Sequence, residues 1–253
     1  MFAEERKEQI ILMLKKFGNV TVKNLSKKFC VTDDCIRKDL TALEKSGLLK
    51  KTYGGAISIR PNVHRFDVLK RKDINIEAKN KIAQKAVSLI REGDMVFLDI
   101  STSNIEIAKI MALSDKKITI VTNMTEIIQV FSRTSNIKLI CVGGLLSPNY
   151  DGFIGSMSID IIKKFRFDIA FLGTVGIDTE NNSVHTYDIT DGTTKDTIIK
   201  ASKKTYLLVE EEKFSMDGNY CYTTLESFTG IISDEPIEAK TAKILKRYNV
   251  EII

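Results

Sequence analysis

Three stretches of helical periodicity open this chain, and a different grammar follows them. Ile10, Ile11, Leu14 and Phe17 recur at helical spacing and predict a helix over 4–17, ended by Gly18-Asn19. Thr21 is placed to cap a second helix, in which Val22, Leu25 and Phe29 share one face. Cys30-Val31 reads as the turn. Thr32 reads as the cap of a third helix running to about Ser46, with Asp33 and Asp34 in the first turn, where the helix dipole favours negative charge, and Gly47 as its stop. Two β-prone runs then flank Gly54-Gly55, a dipeptide suited to a two-residue hairpin turn. Two helices joined by a tight turn and followed by a hairpin predict a winged helix-turn-helix over 1–60.

Residues 61–76 begin with the breaker Arg60-Pro61-Asn62, are polar and mixed in charge, and read as a linker. From Glu77 the pattern changes. Helices are predicted over 78–91 and near 104–113, 124–132, 156–164 and 193–202. Between them lie apolar strands over 95–100, 118–122, 137–142, 168–173 and 205–209, with shorter strands near 230–233 and 250–253. Apolar strands alternating with helices predict an α/β domain over 77–253 with a largely parallel sheet.

Composition changes this picture at one point. The net charge of +5 is uneven: residues 1–60 hold 13 Lys+Arg and 7 Asp+Glu, whereas the remainder is nearly balanced. A basic surface confined to the first quarter suits a phosphate backbone, which binds through counterion release. No apolar run approaches the ~20 residues of a bilayer crossing. The charged N-terminus MFAEERKEQI lacks the apolar segment of a secretory signal, so a cytoplasmic protein is expected. Cys30, Cys35, Cys141 and Cys221 form no CxxC pair and only two histidines accompany them, so free thiols, with no metal or cofactor, are expected.

With Ile36 as reference and 100° per residue, Ile36, Leu40 and Leu43 fall on one side of the third helix. Asp34, Lys38, Thr41 and Lys45 fall on the other, with Cys35 and Arg37 on the flanks. The buried stripe faces the other helices and the polar stripe is offered to a groove. Lys38 points most directly outward. Arg37 is placed for a guanine edge or a phosphate, and Asp34 for a cytosine amino group or the helix start. Lys50 and Lys51 in the wing are candidate phosphate contacts, which position without reading sequence. Thr21 and Thr32, at the two helix starts, complete the candidate DNA-contact set.

Arg6, Ile10 and Leu14, then Thr32, Ile36, Arg37, Lys38, Asp39 and Leu40, and the wing's Tyr53-Gly54-Gly55-Ala56 carry a further likeness: this region resembles the DeoR family of bacterial transcriptional regulators. Cys35 stands where that family usually has Thr. The likeness continues downstream in Phe97-Leu98-Asp99, Val121-Thr122-Asn123, Gly143-Gly144, Asp168 to Gly173, Gly176-Ile177-Asp178, Lys195 and Lys213-Phe214. It implies a second domain similar to ribose-phosphate isomerase and glucosamine-phosphate deaminase, and a phosphorylated sugar or sugar alcohol as effector.

The residues support that implication in outline. Ser101, Thr102, Ser103 and Asn104 lie between an apolar strand and the next helix, where clustered hydroxyls and free backbone N–H groups suit a phosphate. Asp99, Asn123, Gly143 and Gly144 fall at strand carboxyl ends, where open parallel sheets bind ligands. Lys195 and Lys213 can supply positive charge, and Asp99 can accept from a sugar hydroxyl. Two positions depart from the family pattern: Ser101 replaces a usual Gly, and Glu210-Glu211-Glu212 precede Lys213-Phe214 in place of Asp-Ser-Ser. Three carboxylates facing a phosphate would repel it.

The expected function is a repressor of a carbohydrate-use operon that acts as a homo-oligomer on double-stranded operator DNA and is relieved by the effector. One alternative keeps the DNA binding and reduces the second domain to an oligomerisation platform. Another makes it a sugar-phosphate isomerase or deaminase. Asp99, Asp178, Asp188, Glu210 and Lys195 are the acid/base candidates for that, but no spacing singles out a pair.

Overall fold

The computed structural model describes residues 2–17, 19–58, 71–132, 137–147 and 149–253. The chain forms two compact units, Met1–Pro61 and Asn62–Ile253.

In the first unit α1 (Ala3–Phe17), α2 (Val22–Phe29) and α3 (Asp33–Lys45) carry the expected caps: the Thr21 hydroxyl accepts from Asn24 N and the Thr32 hydroxyl from Cys35 N, each at 3.3 Å. Cys30 ends α2 in the left-handed conformation (φ 54°). Ile10, Leu14, Leu25, Ile36, Leu40 and Leu43 form the core with Leu49 and Ala56 of the wing. Burying each such side chain contributes roughly 1.5–3 kcal/mol.

The wing differs from expectation in two ways. It has three strands, β1 (Asn19–Thr21), β2 (Leu49–Thr52) and β3 (Gly55–Ser58), in the order β1-β3-β2. The turn is Tyr53-Gly54, not Gly54-Gly55, because Thr52 pairs with Gly55. Gly54 takes the positive φ of 111° that the turn requires. Gly55 lies inside the sheet for a different reason: a Cβ there would stand 2.0 Å from the Val20 carbonyl oxygen of β1.

The second unit is a seven-stranded, wholly parallel sheet between two layers of helices. In chain order its main elements are α4 (Ile76–Leu89), β4 (Met95–Leu98), α5 (Thr102–Ala112), β5 (Thr119–Thr122), α6 (Thr125–Phe131), β6 (Lys138–Cys141), the hairpin β7 (Leu145–Ser147) and β8 (Gly152–Ile154), α7 (Ser156–Ile162) and β9 (Phe167–Gly173). Then come β10 (Gly176–Asp178), β11 (Ser183–Thr186), α8 (Ile189–Lys200), β12 (Ser202–Val209), β13 (Tyr220–Thr223), β14 (Gly230–Ser233), α9 (Ala239–Arg247) and β15 (Glu251–Ile252). The strands alternate between two cores: Val96, Leu98, Ile169 and Phe171 pack with α4, α5 and α6, and Phe97, Ala170, Leu172 and Leu207 with α7, α8 and α9.

The strand order is β15-β14-β12-β9-β4-β5-β6. From β4 the chain steps outward to β5 and β6, returns to the other side of β4 at β9, and steps outward again. The crevice at the carboxyl ends of β4 and β9 is therefore the point where the connections part, the place where open α/β sheets bind ligands.

Two boundaries shift from those read in the sequence. The expected linker 61–76 lies outside the described residues up to residue 70. Its last part belongs to the second unit: Asn75 precedes α4 and donates to Glu210 at 3.0 Å. Helix α8 starts at Ile189, four residues before the expected 193, because the Asp188 carboxylate caps it through Thr190 N (2.8 Å) and Asp191 N (3.0 Å). A small antiparallel sheet, β10-β11-β13, and helix α9 were not foreseen.

Candidate functional site

The outer face of α3 is built as its periodicity demands. Ile36, Leu40 and Leu43 are buried, while Asp34, Arg37, Lys38 and Lys45 are exposed and, with Thr41 and Ala42, line a shallow surface hollow. Arg37 pairs with Asp34 at 2.8 Å along the helix. Both side chains are largely in water, so the pair adds little stability, but it keeps the guanidinium near the helix start. Asp34 thus serves Arg37 in this structure. The Thr41 hydroxyl donates to the Arg37 carbonyl at 2.7 Å and accepts from Lys51 Nζ at 2.8 Å. The Lys51 backbone N–H donates to the Glu44 carboxylate at 2.8 Å. Lys51 therefore ties the wing to α3. Among the described residues no side-chain hydrogen bond or ion pair engages Lys38, Lys45 or Lys50, whose charges stand in solvent.

Cys35 lies on the flank of α3, as its position in the helical period implies: its sulfur turns toward Arg6, whose Nη2 donates to it at 3.2 Å, and it is half-buried. The same guanidinium grips Asp39 through Nε (2.5 Å) and Nη2 (3.2 Å), both side chains about 7% exposed. This buried fork joins α1 to α3. The hydrogen bond to Asp39 holds Arg6 above its ordinary pKa despite its burial. Sequence reading assigned neither residue a role, because their separation of 33 positions leaves no local signal.

In the second unit the crevice between β4 and β9 holds a buried charged cluster. Asp99 follows β4, and its Oδ2 accepts from Lys195 Nζ of α8 and from Gly173 N at 3.3 Å. Lys195 also lies 3.7 Å from Asp191 one turn earlier on α8, and Asp191 accepts from the Thr186 hydroxyl of β11. Burial pushes the Asp99 carboxyl up to about 6 against the pull of Lys195. Burial also works against the Lys195 ammonium, but Asp191 and Asp99 outweigh it and hold its pKa above the ordinary value. Asp99 Oδ1 and the Tyr222 hydroxyl are buried with no hydrogen-bond partner among the described residues. Buried polar atoms are normally satisfied, so this carboxylate acceptor and this hydroxyl, which can donate or accept, each ask for a partner.

Beside the cluster runs a narrow cavity of about 20 Å³, room for roughly one water. Ser101, Gly173, Thr174, Tyr150, Tyr187, Asp191, Lys195, Lys213 and Arg71 are among its lining residues. Gly173 is required there: a Cβ would stand 2.6 Å from both Cβ and Oγ of Ser101.

Residues 6–62 match the family model described as DeoR-like helix-turn-helix domain, and residues 74–235 match that of the DeoR C terminal sensor domain. The chain belongs to the DeoR family. It is a DNA-binding transcriptional regulator. DeoR-family relatives include the glycerol-3-phosphate regulon repressor of Escherichia coli K12, 28% identical over 98% of this chain and 97% of that protein. The L-fucose operon activator of Haemophilus influenzae is 29% identical over 97% of each. Among solved structures, a ribose 5-phosphate isomerase from Methanocaldococcus jannaschii aligns at a TM-score of 0.41 and 15% identity, over 55% of this chain and 54% of that one.

Within the DeoR sensor unit the sequence-predicted effector residues divide. Ser101, Lys195 and Lys213 line the cavity, and Asp99 lies against it through Lys195. Thr102, Ser103 and Asn104 form the buried first turn of α5. Asn104 Nδ2 donates to the carbonyls of Asp99 and Phe171, each at 2.9 Å, so it ties β4 to β9. Asn123 Nδ2 donates to the Phe153 carbonyl of β8 at 3.0 Å, while its buried Oδ1 has no hydrogen-bond partner among the described residues. Gly143 and Gly144 pack on α7 instead of the cavity: the Ser158 hydroxyl donates to the Gly143 carbonyl at 3.0 Å, and a Cβ on Gly144 would meet Ser158 Oγ at 2.2 Å. The Glu210–Glu212 run turns away. Glu210 pairs with Lys213 at 3.1 Å and accepts from Asn75. Burial raises its pKa, yet Lys213, Asn75 and Lys79 together bring it below the ordinary carboxylate value. Arg71, Tyr150 and Tyr187 were missed, since single residues far apart in sequence carry no spacing signal.

Proposed function

We propose that this regulator represses a carbohydrate-utilisation operon, binds its operator as a homo-oligomer through the outer face of α3 and the wing, and releases it when a phosphorylated sugar or sugar alcohol occupies the cavity at the carboxyl ends of β4 and β9. The carrying observation is the buried Asp99–Lys195–Asp191 cluster at the switch point of the sheet, with the unpartnered Asp99 Oδ1 and Tyr222 hydroxyl beside it. An unpaired carboxylate oxygen and an unpaired hydroxyl suit the hydroxyls of a sugar, which both donate and accept. The neighbouring Lys213, and carboxylates that face elsewhere, suit a phosphate. The relatives named above act on a glycerol-3-phosphate regulon and a fucose operon, which favours carbohydrate control for this chain. No helix among the described residues is long and apolar enough to cross a membrane. A cytoplasmic, non-catalytic role fits the regulator relatives.

Release requires that the effector bind one arrangement of the operator-reading heads more tightly than another; tight binding alone shifts nothing. Gel shift of the chain on its own upstream region, titrated with a panel of sugar and polyol phosphates, tests the reading. At least one compound raises the melting temperature and lowers operator affinity. A panel in which none does either leaves the second unit as an assembly platform. A promoter fusion that loses expression on deletion of the regulator gene makes it an activator.

A further inference from the structure

The hairpin β7–β8 stands apart from the seven-stranded sheet and engages only one of its two outer edges. β8 is pinned to the connection between β5 and α6. Phe153 N donates to the Asn123 carbonyl at 2.7 Å, Asn123 Nδ2 donates back to the Phe153 carbonyl, and Thr125 N donates to the Asp151 carbonyl at 2.9 Å. Among the described residues no strand pairs with the far side of β7. Sheet edges left to water are normally blunted by charge, as by the exposed Lys138 on β6 and Glu251 on β15. β7 has no such guard: residues 142–150 carry no charged side chain, in a chain that is 28% charged.

Large apolar side chains gather around this edge. Leu145 is 72% exposed and Leu146 50%. Gly144 packs on Ser158, which places Met157 of α7, 66% exposed, beside Leu145. The Tyr150 hydroxyl, from the hairpin's loop, donates to Asp188, which brings in Ile189 of α8, 63% exposed. These four leave on the order of 400 Å² of apolar surface in water, the size of patch that marks an interaction site. The occupant that fits is a second copy of this chain. Residues near a two-fold axis meet their own images, so a charged patch would repel itself, whereas an uncharged one is its own complement. Two copies of one strand can pair antiparallel about such an axis, which satisfies the free edge on both sides and closes the assembly. A standard interface buries roughly 800 Å² per partner around an apolar centre, so a centre of this size with a polar rim suffices. We propose that β7 pairs with β7 of a second copy, Leu146 opposite Leu146 across the two-fold, and that Leu145, Met157 and Ile189 pack around that seam. This names the surface behind the homo-oligomer reading above and rests on it. The seam adjoins the effector cavity, because Tyr150 lines that cavity and belongs to the hairpin.

Sedimentation velocity of the full chain at micromolar concentration tests the seam, with circular dichroism as the check on folding. Leu146→Glu and Leu146→Lys are each expected to sediment at half the wild-type mass, their association weakened at least about a hundredfold, and an equimolar mixture of the two is expected to regain the wild-type mass. Leu145→Asp, at the most exposed of the four positions, is expected to weaken association in the same direction while keeping the wild-type circular dichroism spectrum. Variants that keep the wild-type mass overturn the proposal, leave the oligomer reading standing and give the patch to another partner. So does a mixture that stays apart, or a loss of mass that comes only with loss of the folded spectrum. A wild type that is monomeric at concentrations that saturate its operator removes the oligomer reading and this proposal together.

Discussion

The buried Arg6–Asp39 fork makes the sharpest prediction about the DNA-reading unit. Its two side chains are about 7% exposed and their hydrogen bonds join helices 33 residues apart. Removing one partner strands the other charge away from water, which costs about 3–5 kcal/mol. A unit of this size has only a few kcal/mol of stability in total, so Asp39→Ala should unfold it in a large share of molecules. The second unit has its own cores and should stay folded. Hydrogen exchange of the full chain, read by mass spectrometry on peptides from α1 and α3, resolves the two. In Asp39→Ala those peptides lose at least about a hundredfold in protection, β4 and β9 are unchanged, and operator binding disappears. The double change Arg6→Met with Asp39→Leu removes both charges and should recover most of the protection, since apolar replacement of a buried pair is often neutral. Operator binding lost with α1 and α3 protection intact would refute the argument and make Asp39 a DNA contact. A double variant no better than the single would refute the stranded-charge account.

Other consequences are open to direct measurement. Lys38→Ala and Arg37→Ala should each weaken operator binding, whereas Lys50→Ala should weaken all DNA alike and lower the salt slope by about one unit; equal gel-shift affinities for the first two and wild type would remove α3 from the groove. Gly55→Ala should lower the melting temperature of the winged unit, because its Cβ would stand 2.0 Å from the Val20 carbonyl oxygen, while Gly47→Ala, with open space around it and a φ of 69°, should cost less. The Asp99 carboxyl is raised from 3.8 to about 6 by burial, so between about pH 4 and 6 the folded chain holds a proton that the unfolded chain has released. Its contribution to stability therefore falls as pH rises through that window and levels off above it; melting temperatures of wild type relative to Asp99→Asn should decline from pH 4 to 6, and a rise would contradict the burial argument.

What was legible in the sequence was what neighbours along the chain decide. Thr21 and Thr32 cap helices because their hydroxyls reach backbone amides three residues on, and Ile36, Leu40 and Leu43 face one core because of helical period. The alternation of β4 and β9 between two cores follows from the period of a strand. Where contact comes from afar the reading slipped. The wing turn moved by one residue because Gly55 has to pass under Val20 of a strand too short to show alternation. The start of α8 was read late because its buried face is polar, with Asp191, Thr194 and Lys195 covered, while the apolar Ile189 at its start is exposed, which inverts the amphipathic contrast.

The same division runs through the two sites. The sequence by itself determined a winged DNA reader with a basic outer face and a parallel α/β unit behind it, since periodicity, caps and charge are properties of short stretches. Only the tertiary structure decided that Cys35 turns to Arg6, that Gly143 and Gly144 serve α7, and that Glu210 faces Lys213 and not the cavity. It alone gathered Arg71, Asp99, Tyr150, Tyr187 and Lys195 at the switch between β4 and β9. The order in which strands add to a sheet places such residues side by side, and that order is set by long-range packing that no local pattern encodes.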